Sequence, residues 1–117
     1  MNIDNEVFSR LAKIAQDKGL DIAGGKVRRS SSRFCFGVEH GDYNGTELFG
    51  VGTDRFIWLA YKPNGTGKFR FYSDNFPDDG ILEFSASSIA PAKSLPDSWG
   101  RFAHGTACIL QKKGCHL

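Results

Sequence analysis

Cysteine is scarce and unpaired in this sequence. Its three cysteines are an odd number, widely spaced at 35, 108 and 115, so no disulfide framework is implied. A reduced, cytoplasmic setting is the expectation. No apolar run is long enough to cross a bilayer, and the first residues lack the basic-then-apolar pattern of a signal peptide. Membrane association is therefore not expected. Net charge is nearly absent: Lys plus Arg is 15 and Asp plus Glu is 13, leaving +2. That is too little to imply nucleic-acid binding from charge alone. His104, Cys108, Cys115 and His116 form only a loose set, with no CxxC or HxxxH pair, so no metal site is expected. No repeat and no linker interrupts the chain, and residues 1–117 read as a single domain.

What is present is apolar and aromatic. Hydrophobic residues make up 40% of the chain and aromatics 13%, a globular composition. A chain of this size buries roughly two-thirds of its unfolded surface, so a real core is possible. Ten phenylalanines imply either a dense core or an apolar face made for a partner. The one basic cluster, Lys26-Val27-Arg28-Arg29 with Arg33 beyond a serine run, reads as an anion contact or as a solvated strand end.

Residues 4–18 read as a helix, with Asp4 as N-cap, Ile3 and Phe8 as a staple, and Val7, Leu11, Ile14 and Ala15 as the apolar stripe. Gly19 can supply its left-handed C-terminal residue. Residues 26–38 look extended, placing Phe34 and Phe36 on one face and Arg33 and Cys35 on the other. Residues 55–62 and 68–73, joined by the turn-rich Pro63–Gly67, give the tightest hairpin signal. Residues 81–86 form a further strand. Pro96 stands near the start of a second helix with a stripe of Trp99, Phe102, Thr106, Ile109 and Leu110, stopped at Gly114. This order predicts an α+β two-layer sandwich with N- and C-terminal helices. Its sheet would be mixed or antiparallel, of about four or five strands.

The chemistry is concentrated in Glu39-His40-Gly41-Asp42-Tyr43-Asn44-Gly45, with Arg33 six residues upstream of Glu39. Carboxylates accept hydrogen bonds from hydroxyls, and histidine can donate or accept. Such a cluster suits a small polyhydroxylated ligand.

The stretch from Arg33 to Gly45 resembles the signature of galactokinases, within the GHMP small-molecule kinase superfamily. The Glu-His-x-Asp-Tyr-Asn-Gly core matches six defined residues in seven. Asp54-Arg55, Pro63-Asn64-Gly65, Ser73-Asp74-Asn75-Phe76-Pro77 and Lys93 to Arg101 resemble further family segments, so the likeness covers roughly residues 8–113. The resemblance implies the N-terminal half of that kinase fold and galactose or a similar monosaccharide as ligand. It places Arg33 beside the anomeric hydroxyl and the transferring phosphate, where a guanidinium stabilises phosphoryl charge. It gives Glu39, His40 and Asp42 to the sugar hydroxyls, with Tyr43 and Asn44 in the same substrate-binding set. ATP and Mg²⁺ serve the complete family enzyme.

The sequence departs from the family pattern in four places. Ser31-Ser32 replaces Pro-Gly, Val38 replaces the glycine before Glu39, Gly41 replaces threonine and Thr46 replaces the second glycine. A β-branched Val38 narrows the space beside Glu39 or re-aims its carboxylate. The family's Gly-Leu-Ser-Ser-Ser-Ala phosphate loop does not occur in these 117 residues, and the catalytic aspartate would lie downstream. No cofactor is therefore expected on this chain, and no turnover from it alone. The alternative expectation is a non-catalytic sugar-sensing or interaction module. A surface that the rest of the kinase would cover predicts a homodimer or a second polypeptide partner.

Overall fold

The computed structural model describes residues 3–37 and 41–117. Its elements are α1 (Ile3–Asp17), β1 (Lys26–Gly37), β2 (Phe49–Tyr61), β3 (Lys68–Phe71), β4 (Leu82–Ser85) and α2 (Gly100–Lys112). Short 3-10 turns occur at Asp42–Asn44, Pro77–Asp79 and Ala92–Ser94. The class is α+β. Among the described residues the strands number four, and they form two separate antiparallel pairs, β1–β2 and β3–β4, where one sheet was expected. The chain divides into two compact units, Ile22–Lys62 and the residues on either side of it.

In the helical unit, α1 starts one residue before Asp4, so Asp4 lies in its first turn rather than at the cap. A carboxylate there still complements the helix dipole. The far end closes as the sequence implies. Gly19 is left-handed at φ 64, its N–H reaches the Gln16 carbonyl at 3.2 Å, and the Leu20 N–H reaches that of Ala15 at 2.8 Å. This is a Schellman closure. α2 ends in the same way at Gly114, with φ 83, and Cys115 returning to the Leu110 carbonyl at 3.0 Å. At its start, the Ser98 hydroxyl accepts from the Gly100 N–H at 3.1 Å, the work of an N-cap. The long side of α1 is held to the unit by an Arg10–Asp74 ion pair and by Lys18 over the Tyr72 ring at 4.7 Å.

The core of this unit is aromatic. Phe69 and Phe71 share one face of β3, as their alternation predicts, and both pack on Phe84 of β4, which is 9% exposed. His104 of α2 lies on Phe84 with ring centroids 3.6 Å apart. The inward face of α2 is not the expected stripe. Phe102 is 80% exposed and Thr106, Ile109 and Leu110 also face solvent, whereas Gly100 and Ala107 are buried. At its first residue the reason is distance: a Cβ at Gly100 would meet Leu82 Cδ1 at 2.5 Å. One turn on, it is His104 that fills the space against Phe84.

The expected hairpin of 55–62 with 68–73 does not form, because each strand has another partner. β2 matches β1 from Lys26 opposite Tyr61 to Ser31 opposite Phe56. Past a bulge the ladder resumes with Arg33 opposite Gly52. A thirteen-residue strand gains more ladder hydrogen bonds from β1 than from the four-residue β3. The predicted turn residues act locally instead. Asn64 donates to the Lys68 carbonyl at 2.9 Å and accepts from the Thr66 N–H at 3.0 Å, closing an Asx-type loop into β3.

Candidate functional site

The β1–β2 ribbon has two faces, because residues opposite each other in an antiparallel pair point the same way. One face carries Arg29 against Phe56 and Trp58, with the guanidinium carbon 4.9 and 5.6 Å from the two ring centroids. The same face continues past the bulge to Arg33 opposite Gly52 and Cys35 opposite Gly50. The other face is aromatic at its far end, with Phe34 and Phe36 at 4.9 Å and Phe36 and Phe49 at 5.5 Å between centroids.

The bulge sets where Arg33 sits. Ser32 alone on β1 faces Thr53, Asp54 and Arg55 on β2, and the Ser32 and Thr53 hydroxyls bond across it. Bulges bend a strand and re-aim its neighbours. Immediately beyond it, Arg33, Cys35, Leu48, Gly50, Val51 and Gly52 line an open depression of about 280 Å³. Arg33 is exposed, and the Cys35 thiol points to the Gly37 carbonyl at 3.2 Å.

Downstream, Asp42–Asn44 forms a 3-10 turn. The buried Gly41 gives its carbonyl to the Asn44 and Thr46 N–H groups, at 2.9 and 3.2 Å, and Gly45 follows at φ 73. The glycine thus serves the turn that the Asn-Gly pair signals. Tyr43 is 73% exposed and Asn44 is exposed beside it. Glu39 and His40, with Val38 before them, lie outside the described residues.

Comparison with known proteins finds galactokinases. The chain is 33% identical to the galactokinase of Levilactobacillus brevis over 106 residues, which is 91% of this chain and 27% of that protein. Against the galactokinase of Ligilactobacillus salivarius it is 32% identical over 105 residues, 87% of the chain and 27% of the relative. The Bacillus subtilis galactokinase is 34% identical over 76 residues, 65% of the chain and 19% of that protein. The chain is galactokinase-like. It spans about a quarter of the length of the curated galactokinases it matches. No protein-family model and no solved structure matches it.

Within this galactokinase-like chain, the positions that sequence reasoning missed are Gly50 and Gly52. They line the depression from the strand opposite Arg33. A signal for them existed: Phe49, Val51 and Thr53 alternate with the glycines, so β2 starts six residues before the expected 55. A second depression, of about 260 Å³, lies in the helical unit between Leu82, Leu95, Pro96 and His104. His104 Nδ1 is buried there without a hydrogen-bond partner, and loss of solvation holds its pKa below the usual histidine value. None of the signature residues lines it. Among the described residues, no three of His, Cys, Asp and Glu gather to hold a metal ion, and no helix is long and apolar enough to cross a membrane.

Proposed function

We propose that this chain supplies the sugar-binding part of a galactokinase-type site. Glu39, His40, Asp42, Tyr43 and Asn44 engage the hydroxyls of galactose or a similar monosaccharide, and Arg33 stands beside the anomeric hydroxyl. The observation that carries this reading is the Glu-His-x-Asp-Tyr-Asn-Gly core in a chain similar to galactokinases along most of its length. The open depression at Arg33 supports it. The reaction of the complete site moves the γ-phosphate of ATP, with Mg²⁺, to the anomeric hydroxyl. These 117 residues hold no glycine-flanked phosphate loop, so on this reading they do not turn over alone. Three free thiols fit a cytoplasmic setting.

Titration of galactose followed by thermal melting tests the reading. Sugar at ten times its Kd stabilises the native state by about 1.4 kcal/mol, a shift of several degrees for a domain of this size. A melting temperature unmoved by tens of millimolar galactose overturns it.

The exposed apolar face of the ribbon favours a second reading alongside the first, a non-catalytic sensing or interaction module that pairs with its own copy or with a second polypeptide. Ile57 is 73% exposed and Phe49 68%, with Phe34 and Phe36 exposed between them in space. Patches of this kind mark interaction surfaces. Light scattering tests it: a monomer at all concentrations rules out the homodimer.

A further inference from the structure

Gly52 is a glycine without a packing reason. Glycine inside a strand weakens it, and is kept where the backbone is left-handed, where another chain segment comes close, or where a ligand does. The backbone of Gly52 is not left-handed. Its neighbours on the ribbon show what a close approach looks like: a Cβ at Gly50 would meet the Phe34 carbonyl at 2.8 Å, and one at Gly25 the Tyr61 carbonyl at 2.4 Å. A Cβ at Gly52 would meet nothing within 4 Å. The bulge does not require glycine there either, since its unpaired residues on β2 are Thr53, Asp54 and Arg55 and Gly52 is already paired with Arg33.

We infer that Gly52 is a specificity-determining position of the sugar site, whose missing side chain leaves room beside Arg33 for the ring of a pyranose monosaccharide. This rests on the galactose-binding reading above. Opposite residues of an antiparallel pair share a face, so the open volume at Gly52 adjoins the base of the Arg33 side chain. The depression they share, about 280 Å³, is slightly smaller than typical ligand clefts, which begin near 300 Å³, so it has no volume to spare. A branched side chain planted in it takes space the ring needs, and does so without touching a hydrogen-bonding group.

Calorimetric titration of galactose into the full chain and its Gly52→Ala and Gly52→Val variants tests this. The expected Kd rises about threefold for Ala and at least about tenfold for Val, the scale on which pockets read single methyl groups. Neither variant should melt below the parent chain. A Gly52→Val Kd equal to that of the parent overturns the inference. A lowered melting temperature for Gly52→Ala also overturns it, because the glycine then has a packing role. Absence of galactose binding by the parent chain removes the underlying reading instead, and the parent titration alone reveals that failure.

Discussion

Among the described residues, the helical unit has an apolar interior and the ribbon has none. Around β3, β4 and α2, three phenylalanines and a histidine ring close on one another, and Ala107 of α2 is 6% exposed. In the β1–β2 ribbon every large aliphatic or phenylalanine side chain of β2 is exposed, from Phe49 to Leu59. Yet Arg33 and the signature turn belong to the ribbon unit. A two-stranded ribbon is marginal by itself in water. Packing and the candidate site residues thus lie in different stretches of one short chain. The stretch with the candidate site is the one whose large apolar side chains are exposed.

The contrast predicts where substitutions hurt. Phe84→Ala removes the ring on which Phe69, Phe71 and His104 converge, and should cost about 3–4 kcal/mol in urea unfolding. A loss below 1 kcal/mol would mean that the aromatic cluster is not the core. In the ribbon, the most sensitive position should be a backbone contact. Gly25→Ala sets a Cβ against the Tyr61 and Ile22 carbonyls, at 2.4 and 2.9 Å, and should cost about 1–3 kcal/mol. Faster amide exchange at the Lys26–Tyr61 end of the ladder is the direct readout.

The third prediction concerns pH. Burial lowers the folded-state pKa of His104 below 6.5. Between 6.5 and that lower value the unfolded chain binds a proton that the native state refuses, so stability should fall as pH drops through this window. His104→Gln should flatten the slope. A second loss belongs at lower pH. The hydrogen bond from Lys68 at 3.0 Å, and its charge, hold the Glu83 carboxyl below 4.5. The stability this adds disappears as pH falls from 4.5 through the depressed value. Smallest of all, Phe102→Ser at an 80% exposed site should change stability by less than about 0.5 kcal/mol.

Much of this was legible locally. The helix expected at 4–18 is found at Ile3–Asp17, the extended stretch 26–38 contains β1 at Lys26–Gly37, and 81–86 contains β4. These depend on short-range signals: an apolar period, a left-handed glycine, an alternation. The inward face of α2 was misjudged because large residues were taken to point inside. Close contact between Gly100 and Leu82 reverses that, and no periodicity reports an interhelix or helix–strand distance. The same holds at the site. Arg33 and the Glu39–Asn44 cluster stand out in one dimension, whereas Gly52 gains meaning only from the arginine paired with it.

By itself, then, the sequence determined the two helices with their glycine closures, the extended segments, and the galactokinase-type signature from Arg33 to Gly45. These are properties of neighbours along the chain, set by backbone sterics and local hydrogen bonding. Only the tertiary structure decided that β2 pairs with β1 and β3 with β4, that α2 turns its small residues inward, and that Gly52 faces Arg33. Those outcomes compare ladders and contacts between residues far apart in sequence. The winner is whichever pairing satisfies more hydrogen bonds at distances the side chains allow.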